Sequence, residues 1–152
     1  MLTEICDFIH NYFEYEVREG TFTVSGGAIA VDFLKNGQRF RIRGSAVNDG
    51  IYTYTEAGIL DDDSDQSVTL TDETFTGTIT AMAVPRDVIA ICAEIRDWQT
   101  ANSNAVNSPY TSESFGGYSY TKATGTSENG ASRPFTWRDM FGARLNAYRK
   151  IA

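Results

Sequence analysis

Leucine is scarce in this chain. Five leucines stand against 17 threonines, nine phenylalanines and eight tyrosines in 152 residues. Helical proteins lean on leucine for their cores, whereas threonine, tyrosine and phenylalanine suit a pleated, half-buried surface. The shortage therefore argues against an all-helical bundle and for strands. Histidine is nearly absent: His10 is the only one. Because histidine is the usual general base near neutral pH, a Ser-His-Asp or Cys-His reading would rest on that residue alone. The expectation is that the chain is not an enzyme and carries no cofactor. Two cysteines, Cys6 and Cys92, do not make a disulfide framework, and without a CxxC pair they do not suggest a tetrahedral zinc site. Both read as buried thiols.

Basic charge is also short. Thirteen Lys and Arg face 20 Asp and Glu, a formal net charge of −7. A chain this acidic is poorly suited to gripping duplex nucleic acid, which needs cations to displace condensed counterions. No apolar run approaches the roughly 20 residues that span a bilayer, so no membrane partner is expected. Met1 to His10 holds Glu4 and Asp7 and no basic residue, so it is not read as a secretory signal. Leu, Ile, Val and Phe total 33, about 22% of the chain, close to the ~20% level where disorder becomes a concern. Aromatics offset part of the deficit. The core is expected to be small and to gain from subunit neighbours.

What is present is ordered along the chain. Ile5, Phe8, Ile9, Tyr12 and Phe13 recur at spacings of three and four, which predicts a helix over 2–16 with Thr3 as its cap. Residues 21–83 read as short strands divided by turn signals: Ser25-Gly26-Gly27, Lys35-Asn36-Gly37 and Asn48-Asp49-Gly50. Gln38 to Arg43 has period two, with Phe40 and Ile42 on one face and Arg39, Arg41 and Arg43 on the other. Such spacing predicts a small antiparallel sheet or barrel. Pro85 then opens a helix to about residue 100, with Val88, Ile89, Cys92 and Ile95 along its apolar stripe. Residues 101–133 are turn-rich and hold an extended arm. Pro134 to about residue 150 reads as a helix whose stripe is Trp137, Phe141, Leu145 and Tyr148, capped by Thr136 or Ser132. The fold class is therefore α+β, organised as a body (1–100), an arm and linker (101–133) and a C-terminal docking helix (134–152).

Charge divides along the same line. Residues 1–84 hold five basic and 14 acidic side chains, whereas from Arg133 onward there are five basic residues and only Asp139 is acidic. Opposite signs at opposite ends favour head-to-tail association, or one end meeting an acidic partner.

Few motifs carry chemistry. Asp61, Asp63 and Asp65 have the alternating spacing of a calcium loop, with Asp72 at the twelfth position. Gln66, however, stands where the turn glycine belongs, and the flanks read as strand. This is a weak metal candidate; the alternative is a solvated loop. Gly26-Gly27 and Gly116-Gly117 lack the context of a phosphate cradle. The arginine face could take an anion or pair with neighbouring carboxylates.

The most informative stretch is Ser112-Glu113-Ser114-Phe115-Gly116-Gly117-Tyr118-Ser119-Tyr120. It alternates aromatic and small residues, and an isolated strand must pair somewhere. It pairs within the chain or docks on an adjacent subunit. At this point the sequence resembles the head–tail connector (adaptor) proteins of tailed bacteriophages. The likeness lies in Ala90 to Trp98, Asn107-Ser108-Pro109-Tyr110, Ser112 to Tyr120 and the helix from Pro134, about a third of the chain. Phe40 to Ser45 and Asn48 to Tyr52 are similar to small structural proteins of prophages from Gram-positive hosts.

The resemblance implies a virion protein of the neck, assembled in the host cytoplasm. It implies a ring of twelve copies beneath the portal protein, a stopper or tail-completion protein on the other side, and DNA passing through without specific binding. It assigns portal docking and intersubunit contact to Glu113, Ser114, Phe115, Gly116, Gly117, Tyr118 and Tyr120 of the arm. In the last helix it assigns the same role to Trp137, Phe141, Arg144, Leu145, Tyr148, Arg149 and Lys150. Family members are mainly helical, whereas residues 21–83 read as strands, so adaptor, stopper and tail-completion protein all stay open. A carbohydrate-binding or adhesion β module, using tyrosine and tryptophan as stacking platforms, is the alternative from another class.

Overall fold

The computed structural model describes residues 1–62, 65–102, 112–115, 118–121, 124–126 and 132–151. The chain forms two compact units, residues 1–89 with 150–152, and residues 90–149.

The first unit is built on a seven-stranded antiparallel sheet, so the α+β class with a small sheet is what the chain adopts. Its strands are β1 (Glu14–Ser25), β2 (Ala28–Ile29), β3 (Arg39–Arg43), β4 (Gly50–Thr55), β5 (Gly58–Asp61), β6 (Ser67–Val68) and β7 (Glu73–Met82). Their order across the sheet is β2-β1-β7-β3-β4-β5-β6. β7 is central: it pairs with β1 over almost its whole length and with β3 on its other side. Phe22 and Phe75 face each other across β1 and β7 with ring centroids 5.7 Å apart, and Phe40 meets Tyr52 across β3 and β4 at the same distance. Strand alternation puts Phe22, Val24, Phe40, Ile42, Ile59, Phe75 and Ile79 into one cluster on one face of the sheet.

The opposite face carries Arg41, Ile51 and a run of threonines. Thr21 and Thr76 share a hydroxyl hydrogen bond of 3.0 Å, and Thr23 and Thr74 one of 3.1 Å. The helix α1 (Leu2–Ile9) buries Leu2, Ile5, Cys6 and Ile9 and packs on β4. Just after it, the Tyr12 ring lies 3.5 Å beneath the Arg41 guanidinium, and the Tyr12 hydroxyl donates to Asp7.

α1 ends earlier than the apolar spacing predicts. His10 is left-handed (φ 54°), Phe13 is too (φ 49°), and the Phe13 amide donates to Asn11 Oδ1 at 2.9 Å. The Phe13 carbonyl accepts from Ala83 at 2.8 Å, so the chain is already entering the sheet where a third helical turn was expected. Thr3 lies inside the helix, whose first residue follows Met1.

Two glycine sites fix the geometry. Gly26 and Gly27 (φ 63° and 78°) make the two-residue turn between β1 and β2, which demands two positive φ values. Gly44 and Gly77 lie back to back where β3 meets β7. A Cβ on Gly77 would sit 2.0 Å from the Arg43 carbonyl oxygen.

The helix α2 (Arg86–Ala101) begins in the first unit, with the Pro85 carbonyl accepting from Val88 and Ile89. It buries Val88, Ile91, Cys92 and Ile95. In the second unit follow two hairpins, β8 (Ser112–Phe115) with β9 (Tyr118–Thr121) and β10 (Thr124–Thr126) with β11 (Ser132–Pro134). The last helix, α3, spans Trp137–Leu145, shorter than the predicted 134–150, and Asn146–Tyr148 form a single 3-10 turn. Of the two expected caps Thr136 is the one used, its amide donating to Asp139 Oδ2 at 2.8 Å, whereas Ser132 lies in β11. The backbone then turns extended at Arg149, and the Lys150 amide donates to the Ile9 carbonyl at 3.1 Å.

Candidate functional site

The arm singled out by the sequence is a hairpin. Ser112 pairs with Thr121, Glu113 with Tyr120, Ser114 with Ser119 and Phe115 with Tyr118. It satisfies one edge of each strand within the chain. Gly116 and Gly117 lie outside the described residues.

In α3, Trp137, Phe141 and Leu145 are buried in the chain itself. The Trp98 ring meets Phe135 and Phe141 edge-on at 6.2 and 6.4 Å, which ties α3 to α2 inside the second unit. Arg144 makes a two-pronged ion pair with Glu94, at 2.6 and 2.9 Å. The pair holds the Glu94 carboxyl below its usual range and raises Arg144, the shared hydrogen bond being the main cause of both. Two-pronged geometry of this kind fixes orientation as well as charge. The exposed side of α3 carries Met140, 54% exposed, with Ala143 and Arg144. Tyr148 is half-buried, and Arg149 and Lys150 are exposed.

The aspartate loop lies between β5 and β6, a hairpin rather than a helix pair. The Asp61 amide donates to the Gln66 carbonyl at 2.8 Å, and the Asp65 amide to the Asp61 carbonyl at 3.1 Å. Asp62, buried, is the partner of Arg39 at 3.1 Å. Asp63 lies outside the described residues, and among those described no three His, Cys, Asp or Glu side chains converge as a metal site.

The three arginines of β3 divide their tasks. Arg39 holds Asp62 and Arg41 stacks on Tyr12, while Arg43 is exposed. Burial and the neighbouring Arg43 lower the pKa of Arg41.

A second polar cluster pins the loop between β3 and β4. Asn48, 3% exposed, donates to the Thr71 carbonyl (2.8 Å) and to Glu73 Oε1 (2.7 Å), and accepts from the Thr71 amide (2.9 Å). Ser45 Oγ also donates to Glu73 and accepts from the Asn48 amide at 2.7 Å. These bonds, Ser45 first, lower the Glu73 carboxyl below its usual range. The Tyr52 hydroxyl donates to the Asn48 carbonyl at 3.0 Å, and burial followed by the charges of Asp49 and Asp61 raises its pKa. The cluster satisfies its own polar groups and has a structural role.

The feature that sequence reading missed is the outer edge of β1. β2 covers it only at Val24 and Ser25. Among the described residues no strand pairs with the outer side of Glu14–Thr23. Tyr15 is 67% and Val17 51% exposed. Arg18 bridges Glu16 (2.7 Å) and lies 3.8 Å from Asp32 and 4.8 Å from the Phe33 ring centroid. Below this edge an open groove of about 490 Å³ runs between β1 and residues 30–33, floored by Phe22 and Tyr54. The alternation Glu14-Tyr15-Glu16-Val17-Arg18 was the available signal, overshadowed by the helical spacing just before it. No family model, curated protein or solved structure matches this chain.

Proposed function

We propose that the chain is a structural subunit of a tailed-phage neck: a head–tail connector that closes into a ring beneath the portal, extends the DNA channel and joins capsid to tail. The observation that carries this reading is the segregation of charge between the two compact units. Residues 1–89 hold six Lys or Arg against 15 Asp or Glu, and Lys150 brings that unit to −8, whereas residues 90–149 hold six against five and stand at +1. An acidic surface facing a channel repels phosphate, so DNA slides past without adhering. A second unit of opposite sign supplies the other half of a head-to-tail contact, the kind that closes a ring when its rotation divides a full turn.

The docking elements in this reading are the β8–β9 hairpin and the exposed side of α3. Since Trp137, Phe141 and Leu145 are buried, the contact falls to Met140, Ala143 and Arg144. Native mass spectrometry of the full chain with the portal protein of its own phage tests it. Met140→Glu, a change on an exposed side chain, should abolish attachment while circular dichroism stays unchanged. Attachment should also weaken as salt rises, because exposed charge pairs are screened. Wild-type protein that never associates with portal at low salt, or a Met140→Glu variant lacking residues 112–121 that still closes on it, would overturn the reading.

A further inference from the structure

We infer that the exposed edge of β1 is a self-pairing surface, by which two copies of this chain join antiparallel about a two-fold axis at Val17. The inference goes beyond the neck reading and uses a different surface from the one proposed for portal docking.

The backbone comes first. Ser25 and Ala28 close a two-residue hairpin, so the N–H and C=O of Ser25 point outward from β7, toward β2. Groups alternate along an antiparallel strand. Thr23, Thr21, Glu19 and Val17 therefore also aim their backbone groups outward, with no partner strand among the described residues beyond Ser25 and Val24. The cross-strand threonine bonds agree. Thr21–Thr76 and Thr23–Thr74 bring side chains to 3.0 and 3.1 Å, as expected where a residue directs its backbone away from the strand it faces. The regular edge from Glu16 to Thr23, its outward backbone groups unpaired among the described residues, is a template for another strand, and the bulge between Glu14 and Glu16 ends it.

Protein edges are usually guarded by lysine, proline or repelling charge. β1 contains neither lysine nor proline, and its bulge lies at one end, between Glu14 and Glu16. Its charges instead choose a register. With Val17 opposite Val17 of a second copy, Glu16 falls opposite Arg18 and Arg18 opposite Glu16. Both pairs occupy the closer, non-hydrogen-bonded positions, on the face where Glu16 and Arg18 already meet at 2.7 Å. A shift of the axis by one residue toward Arg18 sets arginine against arginine. A shift the other way sets Glu16 against Glu16, and centring on Glu19 sets glutamate against glutamate. Only the Val17 register is free of a like-charge pair on its axis among these four.

The same register keeps clear of β2, since its pairs lie between Glu14 and Gly20 and β2 begins to pair at Val24; the bulge between Glu14 and Glu16 leaves Glu16, Val17 and Arg18 as its regular centre. It also covers the exposed Val17, and the bulge carries Tyr15 of each copy toward Glu19 of the other.

The test uses the full chain. Sedimentation equilibrium on wild type, Glu16→Arg, Arg18→Glu and the double reversal measures self-association. Each single reversal should weaken the dimer about tenfold, because each changed residue counts twice across the axis, and the double reversal should restore it. Oxidative cross-linking of Val17→Cys should give a covalent dimer on a non-reducing gel, whereas Thr23→Cys should not. A wild-type monomer at millimolar concentration would overturn the inference. So would a double reversal as weak as the singles, or equal cross-linking at both cysteines. None of these outcomes bears on portal attachment, so the two readings fail separately.

Discussion

The two units solve the same backbone problem in different ways. In the first, β1 finds its partner in β7, so that Glu16 pairs with Ala81 and Thr21 with Thr76. Residues more than fifty positions apart are held in one register, and one cluster of buried side chains supports all the strands together. In the second, every described strand pairs with its neighbour along the chain: Phe115 with Tyr118, and Thr126 with Ser132. Packing comes from Trp98, Phe135 and Phe141 instead. Distant pairing makes a cooperative unit whose parts stand or fall together. Local pairing makes elements whose loss stays local.

The largest test of this contrast is Phe40→Ala. Phe40 is fully buried and touches the cluster from the strand beside β7. The substitution should cost about 3–5 kcal/mol in urea unfolding, and hydrogen exchange should rise across β1, β3 and β7 at once. Exchange confined to β3 would break the claim that the sheet is one cooperative body.

Next comes a pair of glycines that face each other across β1 and β7. Gly20 has nothing within 4 Å of an added Cβ, whereas Gly77 would meet the Arg43 carbonyl at 2.0 Å. Gly77→Ala should cost about 2–3 kcal/mol, since the clash is with backbone and cannot be relieved by a rotamer change. Gly20→Ala should be neutral or slightly stabilising, having lost chain entropy only in the unfolded state. Equal effects at the two positions would show that the β3–β7 crossing is looser than its geometry.

Asn48→Ala should lower stability by about 1–3 kcal/mol. It removes the buried Asn48 amide and with it both bonds to the Thr71 backbone and the one to Glu73, while leaving the hydrophobic cluster intact. Thermal melts of this variant beside Asn48→Asp would show whether the amide N–H donors carry the effect.

The smallest effect compares one carboxylate from each unit. Glu73 and Glu94 are both held below the ordinary carboxylate range. Each therefore adds stability above its unfolded pKa, and that stability is lost as pH falls through the lower folded value. Their partners differ: Ser45 and Asn48 are neutral, whereas Arg144 is charged. At 1 M salt the acid-side loss attributable to Glu94 should disappear and that of Glu73 should remain. Melts of Glu73→Gln and Glu94→Gln between pH 2 and 6, at low and high salt, separate them.

Much of this fold was legible from residue order. The turns at Gly26-Gly27 and Asn36-Gly37, the two-sided pattern of β3 and most of the stripe of α2 reflect local geometry, where positive φ and side-chain period leave a direct mark; Gly50 instead opens β4 opposite Ile42, and Ile91 is buried where Ile89 was expected. The end of α1 was not legible. Tyr12 and Phe13 continue its spacing, yet Tyr12 is drawn under Arg41 and the Phe13 carbonyl is taken by Ala83, contacts that no local pattern encodes. The candidate docking helix was legible only in part. Its position and its Thr136 cap could be read, but its aromatic stripe proved to be its own core rather than an outward surface. A stripe gives the direction of burial without naming what lies against it.

Sequence alone, then, determined the α+β class, the turns, the helix stripes and the separation of charge, because each depends on residues close together in the chain or on simple composition. Tertiary structure decided that β1 runs beside β7, that Gly77 must remain a glycine while Gly20 need not, and that among the described residues nothing pairs with the outer side of Glu14–Thr23. Those facts depend on which distant segment arrives alongside. Only the summed burial and hydrogen bonding of the whole sheet selects that segment.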